Sequence, residues 1–390
     1  MNRGNYLTDK NKSDLIDFAQ NLVRIKSYSS QEEQVINLVK QKMLSLGFDE
    51  VRTDNMGNVL GRIGNGTKTI MFDSHVDTVE VNDEDKWAIP PFSGQIMNER
   101  LQGRGSVDMK SSVAASIFAG ALASKKGLLD GKTVFVSCTV NEEDCDGENL
   151  KHLFQEFDIR PDYMIICEPS NNNITLGHNG KAQIIIKSMG ISAHGAEPEK
   201  GVNAIYEMAE IIQKVENLNK SLPTINGKKG TLVLSQISSV SASLNAVPSQ
   251  CEIYLDRRIV PGETEADIRQ EMDELTRGKN AIWEIGTLSR KSWTGKNIHY
   301  EPFHPAWKID DDHELTLACI RAYEKNFGTA PSKFDFWNFS TNAVTPISLE
   351  IPTIGFGPGD YKMAHMRDES CPINQITEAS SFYIHLITEI

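Results

Sequence analysis

The sequence of 390 residues contains no long apolar run. Its least polar stretch, residues 112–124, is too short and too rich in alanine and serine to cross a membrane. The N-terminal stretch MNRGNYLTDKNKSDL also lacks the apolar segment of a secretory signal peptide. We therefore expect a cytoplasmic protein with no membrane partner.

Cysteine is scarce, and basic residues are outnumbered by acidic ones. The six cysteines are scattered without a C-x-x-C pair, which is typical of reduced thiols in the cytosol and argues against a disulfide framework. Lysine and arginine total 40 against 53 aspartates and glutamates, a formal net charge of −13. Because an acidic surface repels phosphate backbones, we expect no nucleic-acid partner.

The rest of the composition is that of a globular protein of two or three domains. Hydrophobic residues make up 39% and charged residues 24% of the chain. Dividing the length by roughly 150 residues per domain gives about 2.6. Up to residue 178, short apolar strands alternate with helical patterns, which predicts an α/β sheet with helices on both faces. Residues 58–63 and 69–72 are predicted to pair as a hairpin about the turn at 64–66.

The pattern changes after Gly180. Strand and helix signals follow one another as β-α-β-β-α-β up to about residue 285, an order typical of a compact sandwich with its helices on one face. Helical signals return at residues 314–327 and 378–390, on either side of a glycine-rich stretch at 352–365. The chain is therefore predicted to carry a second, smaller folding unit inserted into the first.

Charged clusters stand where several predicted strands end. They are His75 with Asp77, Asp108, Glu142 with Glu143, and Glu168. Any one of them alone reads as a surface loop, but ligands of an open α/β sheet bind at the carboxyl ends of its strands. Carboxylates and imidazoles together suit Zn²⁺ or a similar first-row ion. One of the two adjacent glutamates can ligate a metal while the other stays free as a base.

The chain also resembles a known family in segments spread over most of its length. These are SHVDTV, GRGSVDMKSSVAA, TVNEED, CEPS, ISAHGAEPEKGVNAI, LNAVPSQC, DRRIVPG and GFGPGDYKMAHMRDE. They are similar to those of the co-catalytic zinc aminoacylases and exopeptidases, which include acetylornithine deacetylase, succinyl-diaminopimelate desuccinylase, aminoacylase and the bacterial glutamate carboxypeptidase. Within that family the chain is similar to the YgeY-type hydrolases.

The resemblance implies a fold and a domain order. The fold is α/β, with a mixed sheet covered by helices on both faces in a zinc exopeptidase-like catalytic domain, and with an inserted α+β ferredoxin-like lid and dimerisation domain. The catalytic domain is expected at residues 1–178 and 294–390, and the lid at 179–293. A homodimer formed through the lid is the expected assembly.

The resemblance also implies roles for residues of the catalytic domain. The metal ligands it implies are His75, Asp108, Glu143, Glu168 and His365, with Asp108 bridging two metals. Glu142 matches the general base, and Asp77 the residue that orients the His75 ring. The bond between Asp108 and Met109 is expected to be cis. The metals are expected to be two divalent ions, most simply zinc, with cobalt or manganese as alternatives.

Further roles follow for the lid. His194 resembles a histidine that reaches the partner subunit's active site and stabilises the oxyanion. Asn245 and Arg258 match substrate binders, since an arginine fork suits a carboxylate. A surface ion pair with Asp256 is the alternative for Arg258, and we expect that surface role of Arg257. Gly359 lets backbone approach the substrate or simply forms a tight turn.

Histidines outside these motifs receive simpler predictions. His178, next to the domain boundary, is expected to be structural. His299, His304 and His313 have no motif context and are expected to be exposed.

The function that follows is hydrolysis of the amide bond in a small carboxylate-bearing substrate, a dipeptide or an N-acyl amino acid, by metal-activated water. Two alternatives remain open. One is an N-carbamoyl (ureido) amino acid amidohydrolase on the same metal frame. The other is a non-catalytic metal-binding scaffold, against which the presence of Glu142 argues.

Overall fold

The elements lie much as the periodicities predict, and the computed structural model describes residues 6–225 and 227–390. Residues 1–5, which begin both the stretch compared with signal peptides and the predicted first catalytic segment, lie outside the described residues. The helices are α1 (Asp9–Arg24), α2 (Glu33–Leu46), α3 (Lys110–Lys125), α4 (Glu142–Cys145), α5 (Glu148–Phe157), α6 (Ala204–Ser221), α7 (Glu265–Thr276), α8 (Glu314–Phe327), α9 (Val344–Ser348) and α10 (Ile373–Glu389).

The strands are β1 (Glu50–Thr53), β2 (Val59–Gly64), β3 (Lys68–His75), β4 (Ile96–Met97), β5 (Arg100–Gln102), β6 (Lys132–Thr139), β7 (Tyr163–Ile166), β8 (Thr175–His178), β9 (Gly180–Met189), β10 (Thr224–Ile225), β11 (Lys228–Lys229), β12 (Thr231–Val240), β13 (Gln250–Ile259), β14 (Ala281–Ile285), β15 (Leu288–Lys291), β16 (Asn297–Tyr300), β17 (Phe303–His304), β18 (Trp307–Lys308), β19 (Asp335–Trp337), β20 (Thr353–Gly355) and β21 (Ser370–Pro372). The two larger sheets that they form position the candidate site.

The larger sheet is mixed and covered on both faces. Its order is β1-β2-β6-β3-β7-β20-β8-β18, with β19 also paired to β8. Alternate residues of β3 point to opposite faces. Ile70 and Phe72 join a core with α1, α3 and α10, whereas Met71 joins a second core with Leu153 of α5. The predicted α/β sheet with helices on both faces is confirmed.

The predicted hairpin between residues 58–63 and 69–72 is wrong. β6 lies between β2 and β3, antiparallel to the first and parallel to the second. The intervening loop packs on the start of β6, where Gly66 N–H donates to Lys132 O at 3.1 Å and Thr133 Oγ1 donates to Gly66 O at 2.7 Å. A Cβ on Gly66 would lie 1.9 Å from Gly131 C. The glycines therefore allow close contact with another strand and do not form a hairpin turn.

The smaller unit has the predicted β-α-β-β-α-β order in β9, α6, β12, β13, α7 and β14, with the short pair β10–β11 added between α6 and β12. Its sheet runs β12-β13-β9-β14, and β17 adds to β9. Ile184 and Ile253 pack with Met208 of α6 and Met272 of α7 in a core of their own. Helices on one face of this sheet agree with the expected ferredoxin-like lid, while the exact domain boundaries at residues 179 and 293 stay predictions.

The weakly polar stretch at residues 112–124 belongs to α3. This helix is buried all round, from Lys110 to Ala123, because it packs between the sheet and helices α1 and α10. Among the described residues, no helix is both long and apolar enough to span a membrane. All six cysteines are buried free thiols.

Candidate metal centre

Three parallel strands bring charged side chains to one edge of the larger sheet. β3 ends at His75, β6 leads into Glu142 and Glu143 at the start of α4, and β7 is followed by Glu168. Because β3 runs parallel to β6 and to β7, the carboxyl ends of all three strands meet. The structure thus brings together side chains that are up to 93 residues apart in sequence (75 to 168).

Asp108 lies between the two predicted histidine ligands. Its Oδ1 is 2.9 Å from His75 Nε2, and its Oδ2 is 3.3 Å from His365 Nε2. The peptide bond between Asp108 and Met109 is cis, as predicted. One carboxylate that faces two imidazoles through different oxygens has the geometry that a bridging ligand needs.

The glutamates complete the cluster on either side of Asp108. Glu168 Oε1 and Glu142 Oε2 lie 3.6 and 4.0 Å from His75 Nε2. Glu143 Oε2 lies 3.0 Å from His365 Nε2. The ligand atoms of His75, Asp108 and Glu143 fall within 4.8 Å of one another, and so do those of His75, Glu142 and Glu168.

The cluster concentrates buried negative charge, which a bound cation would neutralise. Burial and neighbouring carboxylates raise the pKa of three glutamates above the usual range: Glu142, Glu143 and Glu168. Burial opposes a charge on His75, yet its contact with Asp108 raises the pKa of this imidazole well above its ordinary value. Hydrogen bonds to Asp108 and Glu143 raise the pKa of His365 to about 11. The carboxylates exceed what two imidazoles neutralise, and divalent cations fit such a mixed oxygen and nitrogen donor set.

Asp77 differs in detail from the expectation. His75 Nδ1 lies 3.0 Å from the main-chain oxygen of Asp77 and 3.6 Å from its carboxylate. The buried carboxylate instead accepts the backbone N–H groups of Glu142 at 3.1 Å and Glu143 at 3.2 Å, and the hydroxyl of Ser29 at 2.7 Å. Asp77 therefore holds the turn that carries both glutamates, and its carbonyl is the nearer of its two oxygen groups to His75 Nδ1.

Sequence reasoning gave no role to Arg104 or Glu369, although both lie inside the quoted motifs. Glu369 Oε1 accepts the backbone N–H groups of Val107 at 2.7 Å and Asp108 at 3.1 Å. Its other oxygen is 2.7 Å from Arg104 Nη1, and Arg104 also donates to the carbonyl of His365 at 3.3 Å. This buried pair joins the Asp108 loop to the His365 loop. Two opposite charges close to predicted ligands were the signal available in the sequence.

Glu32 is a further residue to which the sequence motifs gave no role. It is buried, and its Oε1 accepts the backbone N–H groups of Ser30 at 2.9 Å and Asn141 at 3.0 Å. Asn141 precedes Glu142 and has a left-handed φ of 54°. Burial and the nearby Asp77 raise the pKa of Glu32 to about 8. A buried carboxyl group thus supports the backbone bend that leads into Glu142.

A cavity of about 400 Å³ opens beside the cluster. Arg258 lines it, with its guanidinium held by Asp256 at 2.7 and 3.0 Å. Gly359 stands at a turn with φ +90°, and its N–H donates to Gln375 Oε1 at 2.8 Å, which favours the tight-turn alternative. Arg257 was expected at the surface, and that expectation is wrong, because alternation along β13 buries it in the lid core.

His194 and Asn245 are not brought to the cluster within one chain. Both line a separate open depression on the lid, where the N–H of Gly195 donates to Asn245 O at 2.7 Å. Both side chains are exposed. Their predicted roles therefore require a second subunit.

The remaining histidines divide between surface and interior. His178 is buried, as a structural role requires, and its Nδ1 accepts Thr341 N–H at 3.0 Å. His299 is exposed and His313 half-buried. The predicted exposure of His304 is wrong, because pairing of β17 with β9 buries it with Nδ1 3.0 Å from Asp146 Oδ2.

Comparisons with known proteins agree with this architecture. Residues 71–389 match peptidase family M20/M25/M40. YgeY of Escherichia coli (strain K12), an uncharacterised protein, is 36% identical over 377 residues, which cover 95% of this chain and 93% of YgeY. Acetylornithine deacetylase of Salmonella heidelberg (strain SL476) is 29% identical over 372 residues, 91% of this chain and 92% of that enzyme. The crystal structure of aminopeptidase PepT from Bacillus cereus ATCC 10987 has a TM-score of 0.74 at 21% identity, covering 97% of this chain and 98% of PepT.

Proposed function

The chain belongs to peptidase family M20/M25/M40 and is a metal-dependent hydrolase, and on that premise we propose that it cleaves the amide bond of a small carboxylate-bearing substrate, an N-acyl amino acid or a dipeptide. The observation that carries the proposal is the convergence of two histidines with four carboxylates in one cluster, of which all but His75 line the cavity. Acetylornithine deacetylases among the relatives support an N-acyl substrate.

Two divalent metal ions, most simply zinc, are the proposed cofactors. His75, Asp108 and Glu168 would hold one, and Asp108, Glu143 and His365 the other. Support comes from Asp108, whose two oxygens face different histidines. When bound, such ions lower the pKa of water and polarise a carbonyl oxygen. Cobalt and manganese suit the same donors.

Glu142 is the proposed general base. It lines the cavity next to Glu143, and burial raises the pKa of its carboxyl group. A raised pKa suits a group that takes a proton from the attacking water and returns it to the leaving nitrogen. Asp77 positions this carboxylate through the Glu142 N–H group.

Substrate binding is assigned to the lid side of the cavity. Arg258 would bind the substrate carboxylate, because its Nη1 group has no hydrogen-bond partner among the described residues and its side chain is 36% exposed. Asn245 would assist from the partner subunit. For Gly359 we propose a supporting turn, in place of direct substrate contact.

A homodimer formed through the lid is the proposed assembly, with His194 acting in trans on the oxyanion. β12 is an edge strand of the lid sheet and exposes Val233, Ile237 and Val240, each more than half accessible. A long apolar edge strand is a template for pairing with a second chain. Mixing a His194→Ala variant with a Glu142→Ala variant should restore activity in the heterodimer, and failure to do so would contradict the trans role.

The proposal also includes a division into two domains and a cytoplasmic location. We place the hinges of the lid near residues 179 and 293, so that closure can exclude water from the cavity. Six buried free thiols are compatible with the reducing cytoplasm.

A substrate panel tests the function. Protein reconstituted with Zn²⁺, Co²⁺ or Mn²⁺ should hydrolyse members of a set of N-acyl amino acids and dipeptides, with no turnover after chelation. Ammonia release from N-carbamoyl amino acids, in preference to the amides, would favour the ureido alternative. No metal-dependent turnover of any member would favour the non-catalytic scaffold.

A further inference from the structure

Two cations stand side by side on the lid wall of the cavity. Lys181 of β9 and Arg258 of β13 are direct partners in the antiparallel register, so their side chains leave the sheet on the same face. Both line the cavity that four of the five predicted metal ligands also line, namely Asp108, Glu143, Glu168 and His365. Neither the metals nor the general base requires a lysine here.

Both cations keep unused hydrogen-bond donors. Lys181 Nζ donates one hydrogen bond, to Asp146 Oδ1 at 2.6 Å, and an ammonium group carries three N–H bonds. Arg258 gives Nε and Nη2 to Asp256 and keeps Nη1. Among the described residues, these remaining donors have no partner, so they are available to an anion in the cavity.

The carboxylates of the cavity are, by contrast, already committed. Five line it: Asp108, Glu142, Glu143, Asp146 and Glu168. Four of them form the proposed metal and base set. Asp146 Oδ1 also accepts the Tyr300 hydroxyl at 2.5 Å, and its Oδ2 is buried with His304 Nδ1 at 3.0 Å. A cationic substrate side chain would therefore meet two cations and no available carboxylate.

We propose that Lys181 and Arg258 together select a substrate with two carboxylates, an amide of an acidic amino acid. Arg258 binds the α-carboxylate, and Lys181 binds the side-chain carboxylate. A basic side chain such as that of ornithine is disfavoured in the same place. The assignment rests on the proposed function, since it concerns the same cavity, and it adds the substrate class.

Calorimetric titration of the metal-loaded full-length protein with L-glutamate, L-glutamine and L-ornithine tests the inference without requiring turnover. Glutamate and glutamine differ by one carboxylate at nearly constant shape. A hydrogen bond to a charged group predicts that glutamate binds roughly 10- to 100-fold more tightly than glutamine. Ornithine should bind more weakly than either.

Variants of two lysines on β9 test whether Lys181 causes the preference for glutamate over glutamine. Lys181→Gln keeps a donor for Asp146 and should reduce the glutamate preference to less than about threefold. Lys181→Arg should retain it, which separates charge recognition from a folding defect. Lys187 is the matched control, because it lies on the same face of β9 but pairs with Glu284 at 2.6 Å, outside the residues that line the cavity. Lys187→Gln should bind like the wild type.

The inference is overturned if the wild type binds glutamine or ornithine as tightly as glutamate, or if Lys181→Gln keeps the full preference. Failure of the proposed function is distinguished by the substrate panel and not by the titration. In that case no amide of the substrate panel is hydrolysed, whatever the three amino acids show in the titration.

Discussion

Replacing Asp77 by asparagine should impair turnover strongly, although Asp77 is neither a proposed metal ligand nor the proposed base. The carboxylate is fully buried and accepts three hydrogen bonds, from the backbone of Glu142 and Glu143 and from Ser29. An asparagine has only one accepting oxygen. Whichever way its amide turns, the NH₂ group faces the N–H of one of the two glutamates.

The structure sets the size of the effect. A hydrogen bond to a charged group contributes about 1.5–3 kcal/mol, and a buried N–H left without a partner costs about 1–3 kcal/mol. We therefore expect Asp77→Asn to lower the free energy of unfolding by about 2–4 kcal/mol. Because displacement of the Glu142–Glu143 turn by about 1 Å misplaces the base, kcat should fall about 100-fold.

Urea unfolding of the chelated protein measures the stability, and steady-state kinetics of the metal-loaded protein measures kcat. Asp54→Asn is the matched control. Asp54 is also buried, and it accepts the backbone N–H groups of Gly57 at 2.8 Å and Asn58 at 2.9 Å and the Asn58 side chain at 2.7 Å. That variant should lose similar stability and keep kcat. An Asp77→Asn enzyme with kcat within fivefold of wild type would contradict the positioning role of Asp77.

Two further predictions concern groups outside the cluster. Burial and the nearby His304 lower the pKa of His178 to about 3. Below pH 6.5 the histidine is therefore protonated in the unfolded chain but stays neutral in the folded protein. The free energy of unfolding that this group contributes above pH 6.5 is lost as the pH falls. Between pH 7.5 and 5, urea unfolding should show that the free energy of unfolding falls by about 2 kcal/mol more in the wild type than in His178→Asn. The control His299→Asn, at an exposed histidine, should show the same pH dependence as the wild type. Arg257→Met leaves Glu263 and Glu271 without their buried partner. Thermal unfolding should therefore show a free energy of unfolding lower by about 3–5 kcal/mol. A decrease of less than about 1 kcal/mol would contradict this prediction.

The gathering of the candidate ligands could be predicted because each follows a strand. Parallel strands end at the same edge of a sheet, so His75, Glu142 and Glu168 needed only the strand assignments to be placed near one another. His365 follows no such strand, and its placement depended on the resemblance of its motif. Local periodicity also predicted the order of elements in the lid.

Long-range pairing could not be predicted in the same way. The sequence suggested a hairpin at residues 64–66, because nothing local reveals that β6 enters between β2 and β3. His304 is buried by a strand that pairs with β9, more than 100 residues earlier (304 against 181). Alternation along β13 already places Arg257 on the buried face with Ile253 and Leu255. What the local pattern does not reveal is that Glu271 of α7 pairs with its buried guanidinium.

The most direct test is the metal content and amide turnover of a Glu142→Ala variant. We expect this variant to bind two divalent ions per chain, as the wild type does, and to hydrolyse none of the substrates that the wild type cleaves. Wild-type turnover in the variant would contradict the assignment of Glu142 as the base. A wild-type protein whose activity is unaffected by complete removal of metal would contradict the metal centre itself.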